Sequence, residues 1–342
     1  MEARIMERRA ILKVVVVGLL VVSFVLPMQA TAQPQSRRGG LFGDWQIKMK
    51  FGEREFESIL SFSRNQEGQY TGQWISFWGA NELQDVKFEE NKLSFTQVMR
   101  FGGEERTSKF TGTIEQGELS GVLAGDQGET EIKGQRSPRM SRAVGNWELK
   151  YKFGDREITS TLAVKANKEG ELSAEWQSQR GESKITDLQY ERGKLTFKRE
   201  SKFQDRQMVS TFEGTIGRDN TLTGVIKSER GEVPVEGTLI GAPLIGTWNL
   251  DIESEQGTRK QRLVVNPDLS SLYGSNLIKK INLDGDKVSF KYVMSFGDQE
   301  FETSFAGKLA ESKLTGELTT SRGTRKVTGT KVVRTFRRRS TE

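Results

Sequence analysis

Neither histidine nor cysteine occurs among the 342 residues. No thiolate nucleophile, imidazole base or His/Cys zinc site can be built. What remains for chemistry is carboxylate, guanidinium, ammonium and phenol. Among these, Arg199 stands out by position. It sits in the row Leu195, Phe197, Arg199, Ser201, Phe203, where alternate residues face an apolar side. A guanidinium turned toward a core needs a partner or the acid group of a ligand. Trp176 points inward on a neighbouring run by the same alternation, and Tyr190 joins them as a candidate contact. Arg156, Arg180, Arg206 and Arg230 fall in turn sequences, interspersed with Asp155, Glu157, Glu182, Asp205 and Glu232. Such turns either orient a polar or anionic ligand or keep a surface soluble. No inward acid pair recurs along the chain, so no catalytic constellation is expected and no cofactor is implied. The two acids of "LDGDK" (Leu283–Lys287) hint at calcium but align with ordinary hairpin turns.

The turns belong to a repeat. "KFGERE" (Lys50–Glu55), "RFGGEE" (Arg100–Glu105), "KFGDRE" (Lys152–Glu157), "KFQDRQ" (Lys202–Gln207) and "SFGDQE" (Ser295–Glu300) write one hairpin five times. "GDW" (Gly43–Trp45), "GNW" (Gly145–Trp147) and "GTW" (Gly246–Trp248) recur about every hundred residues, each followed by the same ordered motifs. Within a unit the pattern is doubled: "SQRGE" at Ser178 and "SERGE" at Ser228 are about fifty residues apart. Each half reads as a four-stranded meander and each unit as eight strands. The strands alternate cleanly. In "WELKYKF", Trp147, Leu149, Tyr151 and Phe153 face one way and charged residues the other. Such a unit buries one face, and closing the sheet does so while removing both edges. A six-bladed propeller is numerically open, but blades stacked on both sides lose alternation. A single outer-membrane barrel also alternates, but these strands carry many Lys and Glu. In a closed meander the Phe-Gly-acid and Arg-Gly-Glu turns all line one rim, opposite the Trp. Paired glycines on the inner face (Gly112, Gly121, Gly214, Gly224, Gly307, Gly316) let the sheet bend or leave room for a Trp opposite.

With "GDW", "GNW" and "GTW" each opening such a meander, the chain resembles the lipocalin and wider calycin family. The resemblance implies three tandem eight-stranded antiparallel up-and-down barrels, the Trp plugging the closed end of each. It also implies an arginine on the last strand over that Trp, which Arg136 matches, where the other units have Leu239 and Lys331.

The ends read differently. Arg4, Arg8, Arg9 and Lys13, the apolar run Val14–Leu26, Pro27 and "ATA" (Ala30–Ala32) have the order of a secretory signal, helical before cleavage. "RRAILK" also fits a twin-arginine signal. The expected organisation is a signal at 1–32, barrels at 41–137, 143–240 and 244–334 joined by short linkers into a semi-rigid row, and a basic tail at 335–342. Removing the four basic and two acidic residues of the signal lowers the net charge from +6 to +4. The charges of the body are mixed, so nucleic acid is not an expected partner, nor is a stable transmembrane span after cleavage. The expected product is exported, periplasmic or extracellular, and non-enzymatic. It holds a small apolar or amphipathic ligand in at least one cup. The alternative is a structural or adhesive envelope module whose repeated rims bind a protein or polysaccharide.

Overall fold

The computed structural model describes residues 40–332 except 52, 53, 102, 103, 127, 168, 180, 204, 205, 255, 256, 297 and 298; beside several of those turns it describes backbone but not side chains. The signal segment and the basic tail lie outside the described residues. All regular structure among them is antiparallel β, in three consecutive sheets.

The first barrel is β1 (Gly43–Phe51), β2 (Arg54–Arg64), β3 (Tyr70–Ile75), β4 (Ala80–Glu89), β5 (Lys92–Phe101), β6 (Glu104–Glu115), β7 (Glu118–Gly125) and β8 (Gly128–Arg136), with β8 pairing back on β1. The second repeats it as β9 (Gly145–Phe153), β10 (Arg156–Ala166), β11 (Leu172–Ser178), β12 (Gly181–Glu191), β13 (Lys194–Phe203), β14 (Arg206–Ile216), β15 (Thr221–Ser228) and β16 (Gly231–Leu239), closed by β16 on β9. The third is β17 (Gly246–Ser254), β18 (Gly257–Val265), β19 (Ser271–Tyr273), β20 (Asn276–Ile278), β21 (Ile281–Asp284), β22 (Lys287–Phe296), β23 (Gln299–Ala310), β24 (Lys313–Thr320) and β25 (Gly323–Lys331). It is nine-stranded and nearly closed, with no ladder between β20 and β21.

The fourth strand explains that difference. In the first two barrels it carries a β-bulge, at Asp85 and Asp187, each in the left-handed region with φ of 51° and 55°. Aspartate tolerates that conformation better than most residues. The third unit has Lys280 at the aligned place, and there the strand parts into β20, which pairs with β19, and β21, which pairs with β22.

Each barrel has its own apolar core, and the repeat sets its parts. Trp45, Trp147 and Trp248 are buried, and each indole N–H donates to the carbonyl four residues earlier: Leu41 at 2.9 Å, Ala143 at 3.1 Å and Leu244 at 2.8 Å. Opposite them on the last strand stand Arg136, Leu239 and Lys331. The Arg136 guanidinium lies 4.7 Å from the Trp45 ring centre and the Lys331 ammonium 5.5 Å from that of Trp248. Arg136 also donates to the carbonyls of Gly40 and Phe42, and Lys331 to that of Pro243 at 2.6 Å. Burial pulls both cations below their ordinary pKa. These ends are therefore closed, each tied to the segment that enters the barrel.

A stacked phenylalanine pair follows in every core: Phe95–Phe110, Phe197–Phe212 and Phe290–Phe305, with centroids 4.7, 4.8 and 5.1 Å apart. The glycine pairs make room for it. A Cβ on Gly121 would meet the Phe110 ring at 2.5 Å, and one on Gly224 the Phe212 ring at 2.7 Å. The space they leave is thus filled by the Phe two residues before the first glycine, not by a Trp opposite. Trp74 and Trp176 pack inward beside these rings.

The barrels are not a simple row, because the first touches the third. The Arg262 guanidinium, 3% exposed, pairs with both Asp44 carboxylate oxygens at 3.3 and 3.0 Å. Gln261 Nε2 donates to the Ser76 carbonyl at 3.0 Å, and Lys260 meets Glu82 at 3.6 Å. Asn146 of the second barrel donates to the Asp268 carbonyl of the third. The third barrel therefore braces both others.

Candidate functional site

The odd-to-even turns of the second barrel close Phe153 on Arg156, Ser178 on Gly181, Phe203 on Arg206 and Ser228 on Gly231. All four lie at the end away from Trp147. Gly181 and Gly231 hold φ of 104° and 114°, which a side chain would strain. Inside this rim is a cavity of about 150 Å³. Its wall is Tyr151, Ile158, Ile226 and Val233, with the serines Ser183, Ser201 and Ser210 between them. Phe153, Met208, Val209 and Arg230 line it at the mouth, where Phe153 and Val209 are well exposed.

Arg199 forms part of this cavity. It lies between Ile185 on β12 and Ser210 on β14. One step deeper the same row gives Phe197, part of the stacked core. The guanidinium carbon sits 4.7 Å from the Trp176 ring centre, a stacked cation–π contact. Its Nε and Nη1 are buried without a hydrogen-bond acceptor, and so is Nε1 of Trp176. Among the described residues no carboxylate pairs with it. Two touching side chains thus present three buried donors with nothing to receive them, an uncommon state for buried polar groups.

The structure gathers some of the residues chosen from sequence and scatters others. Arg199 and Arg230 line the cavity and Trp176 supports it from below. Arg156 begins β10 with its side chain exposed, outside the lining. Tyr190 is half-buried against the core, near the other end of β12, where it pairs with Leu195. Arg180 and the Arg206 side chain lie outside the described residues. Sequence reasoning put Tyr151, Ser201 and Ser210 on inward rows without choosing them as contacts, and passed over Ile158, Met208 and Ser183. All sit on inward positions next to the rim turns, so alternation counted from those turns would have found them.

The other two units fill the aligned positions differently. Arg199 is matched by Gln97, buried in the first barrel, and by Tyr292 in the third. At the first barrel's rim, Phe56 stacks near Phe77, and Phe77 packs on Trp78 at 4.2 Å. The arrangement at Arg199 therefore belongs to the second barrel.

No protein-family model matches this chain, and no curated protein matches it. Among solved structures, it is similar to a candidate outer membrane protein from Bacteroides fragilis at 10% identity and a TM-score of 0.23, covering 85% of this chain and 97% of that one. It is also similar to transferrin-binding protein B from Haemophilus parasuis at 11% identity and a TM-score of 0.17, covering 85% of this chain and 76% of that one. A protein of unknown function from Nostoc punctiforme gives 12% identity and a TM-score of 0.16, covering 85% and 96%. At these TM-scores the likenesses carry no argument about what this chain binds or does.

Proposed function

We propose that this chain is an exported, non-enzymatic binding protein of lipocalin-like barrels, whose second barrel holds a small amphipathic acid. The acid group descends to Arg199 and the apolar part rises along Tyr151, Ile158 and Val233 toward Phe153 and Met208 at the mouth. The observation that carries this is the trio of buried donors without an acceptor, Arg199 Nε and Nη1 and Trp176 Nε1. An anion supplies acceptors, and a charge-assisted pair in an enclosed site is stronger than one in water. The cavity volume of about 150 Å³ sets the size. An apolar cavity of that volume takes about one benzene ring, so a six-carbon or monocyclic carboxylate fits. The signal-type order of residues 1–32 supports export.

Isothermal titration of the mature chain with hexanoate and phenylacetate tests this. One saturable site is expected, with the corresponding neutral amides binding at least tenfold more weakly. If neither acid is held, or acid and amide bind alike, the assignment of the cup fails.

A further inference from the structure

The third barrel carries a second, differently built set of donors. On β18, Arg259 is half-buried between exposed Thr258 and Lys260, on the inward row at the rim, where its stem also lies beside Gly79 of the first barrel. On β25, Arg325 is half-buried between exposed Thr324 and Lys326 and faces inward likewise. Arg259 pairs with Ile252 of β17, and Arg325 with Leu318 of β24 near the β24–β25 turn. The two cations therefore flank the central strand β17 from either side, toward the rim. The aligned interior positions of the second barrel are Ile158 and Val233, both apolar. Across from them are two phenols. Tyr273, at the place of Trp176, is 1% exposed, and its ring centre lies 5.3 Å from that of Tyr292, at the place of Arg199.

Two of these groups have buried polar atoms without a partner. Tyr273 Oη and Arg259 Nε are buried with no hydrogen-bond partner. Neither arginine pairs with a carboxylate among the described residues. Burial pushes the Tyr273 phenol up, and the Arg259 side chain, close enough to interact with that oxygen, and Arg325 partly offset the rise. Two cations beside a buried phenol donor suit an anion with more charge and more acceptor oxygens than one carboxylate has.

We infer that the rim half of the third barrel binds a tetrahedral oxyanion of the phosphate or sulfate class, held by Arg259 and Arg325 with the Tyr273 hydroxyl as a further donor. The site is separate from the cup at Arg199 and does not rest on it. The chain then offers two pockets of different selectivity, one for a monoanionic amphiphile and one for a polyoxygenated anion.

Titration of the mature chain with inorganic phosphate, sulfate and acetate at constant ionic strength tests the inference. Phosphate and sulfate are expected to saturate one site, with acetate at least tenfold weaker. Arg259→Gln and Arg325→Gln should each weaken phosphate binding at least tenfold, and Arg199→Met should leave it unchanged. Tyr273→Phe removes one hydroxyl from a core that keeps its ring, and should weaken binding about threefold to tenfold in a folded protein. No saturable phosphate or sulfate binding would overturn the inference. So would acetate binding as tightly as phosphate, indifference to both arginine substitutions, or loss of phosphate binding in Arg199→Met. A result in which hexanoate fails and phosphate binds leaves this site standing and removes only the one in the second barrel.

Discussion

Replacing Arg199 by Met separates a binding role from a structural one, because the two roles predict opposite signs of stability change. Methionine retains an unbranched apolar stem of similar reach, so packing against Ile185 and Trp176 is largely kept. What disappears is a guanidinium with Nε and Nη1 buried and unpaired. Each orphaned donor costs about 1–3 kcal/mol. The contact with Trp176, 4.7 Å to the ring centre, returns about 1–2 kcal/mol. The difference, about 0–5 kcal/mol and centred between about 2 and 3, leaves the variant more stable than the parent in the absence of ligand. Binding moves the other way. Two charge-assisted hydrogen bonds to a carboxylate contribute together about 3–5 kcal/mol, so the variant should bind hexanoate about 100-fold to 5,000-fold more weakly.

Three cores in one chain do not guarantee a single unfolding transition, so the stability change is best read locally. Hydrogen exchange of the amides of β13 and β14, which pair from Lys194↔Thr215 to Phe203↔Arg206, reports opening of the second barrel itself. Slower exchange in Arg199→Met together with lost binding is the expected pair of results. Exchange faster by more than the equivalent of about 1 kcal/mol, with hexanoate held as before, would show that Arg199 stabilises the fold and the reasoning is wrong.

Three further outcomes follow from the geometry. Arg262→Ala leaves Asp44, whose carboxylate it holds at 3.0 and 3.3 Å, with the Ser61 hydroxyl as a remaining partner; breaking this half-enclosed pair should cost about 1–3 kcal/mol. Limited proteolysis around residues 76–79 and 274–276 should accelerate in that variant while the second barrel keeps its protection. Gly224→Ala puts a methyl 2.7 Å from the Phe212 ring and 2.7 Å from the Glu213 carbonyl oxygen, so it should destabilise the second barrel by about 1–3 kcal/mol or more; urea unfolding followed by hydrogen exchange checks it. Burial raises the pKa of both Tyr273 and Tyr292. Above about pH 10 the unfolded chain therefore loses phenol protons that the folded one retains, and stability falls as pH rises. Absorbance titration at 295 nm should show two of the five tyrosines ionising last, together with unfolding; early titration of all five would contradict it.

The architecture was legible because three levels of the sequence agreed. Alternation placed Trp147, Leu149 and Tyr151 on one side, turn residues spaced the strands, and repetition confirmed both. The closing contact could be named in advance for Arg136 because the resemblance to lipocalins implies an arginine on the last strand over the plugging Trp. The contact between first and third barrels could not. Arg262 stands on the outer face of β18, where a charged residue reads as a solvated surface, and its partner Asp44 is 218 positions away. Local pattern carries no information on which outer faces meet.

The cups show a subtler limit. Alternation says that Arg199, Arg259 and Arg325 point inward, and sequence reasoning noticed only the first. Arg199 interrupts an apolar row, whereas Arg259 and Arg325 sit at the ends of rows, beside turns already rich in charge. Orientation there depends on where the barrel mouth begins, a property of the closed sheet. The third barrel's broken fourth strand follows the same logic. A bulge at Asp85 and Asp187 asks for a left-handed residue, and Lys280 does not readily supply it. The lesson concerns what duplication permits. Once three copies share one scaffold of Trp plug, Phe pair and Gly pair, the fold is set by positions near the closed end and centre. The residues toward the mouth are then free to differ: Gln97 in one barrel, Arg199 in the next, Tyr292 with Arg259 and Arg325 in the third. A scaffold repeated in its lower half and divergent in its upper half lets each copy carry its own set of side chains at the mouth.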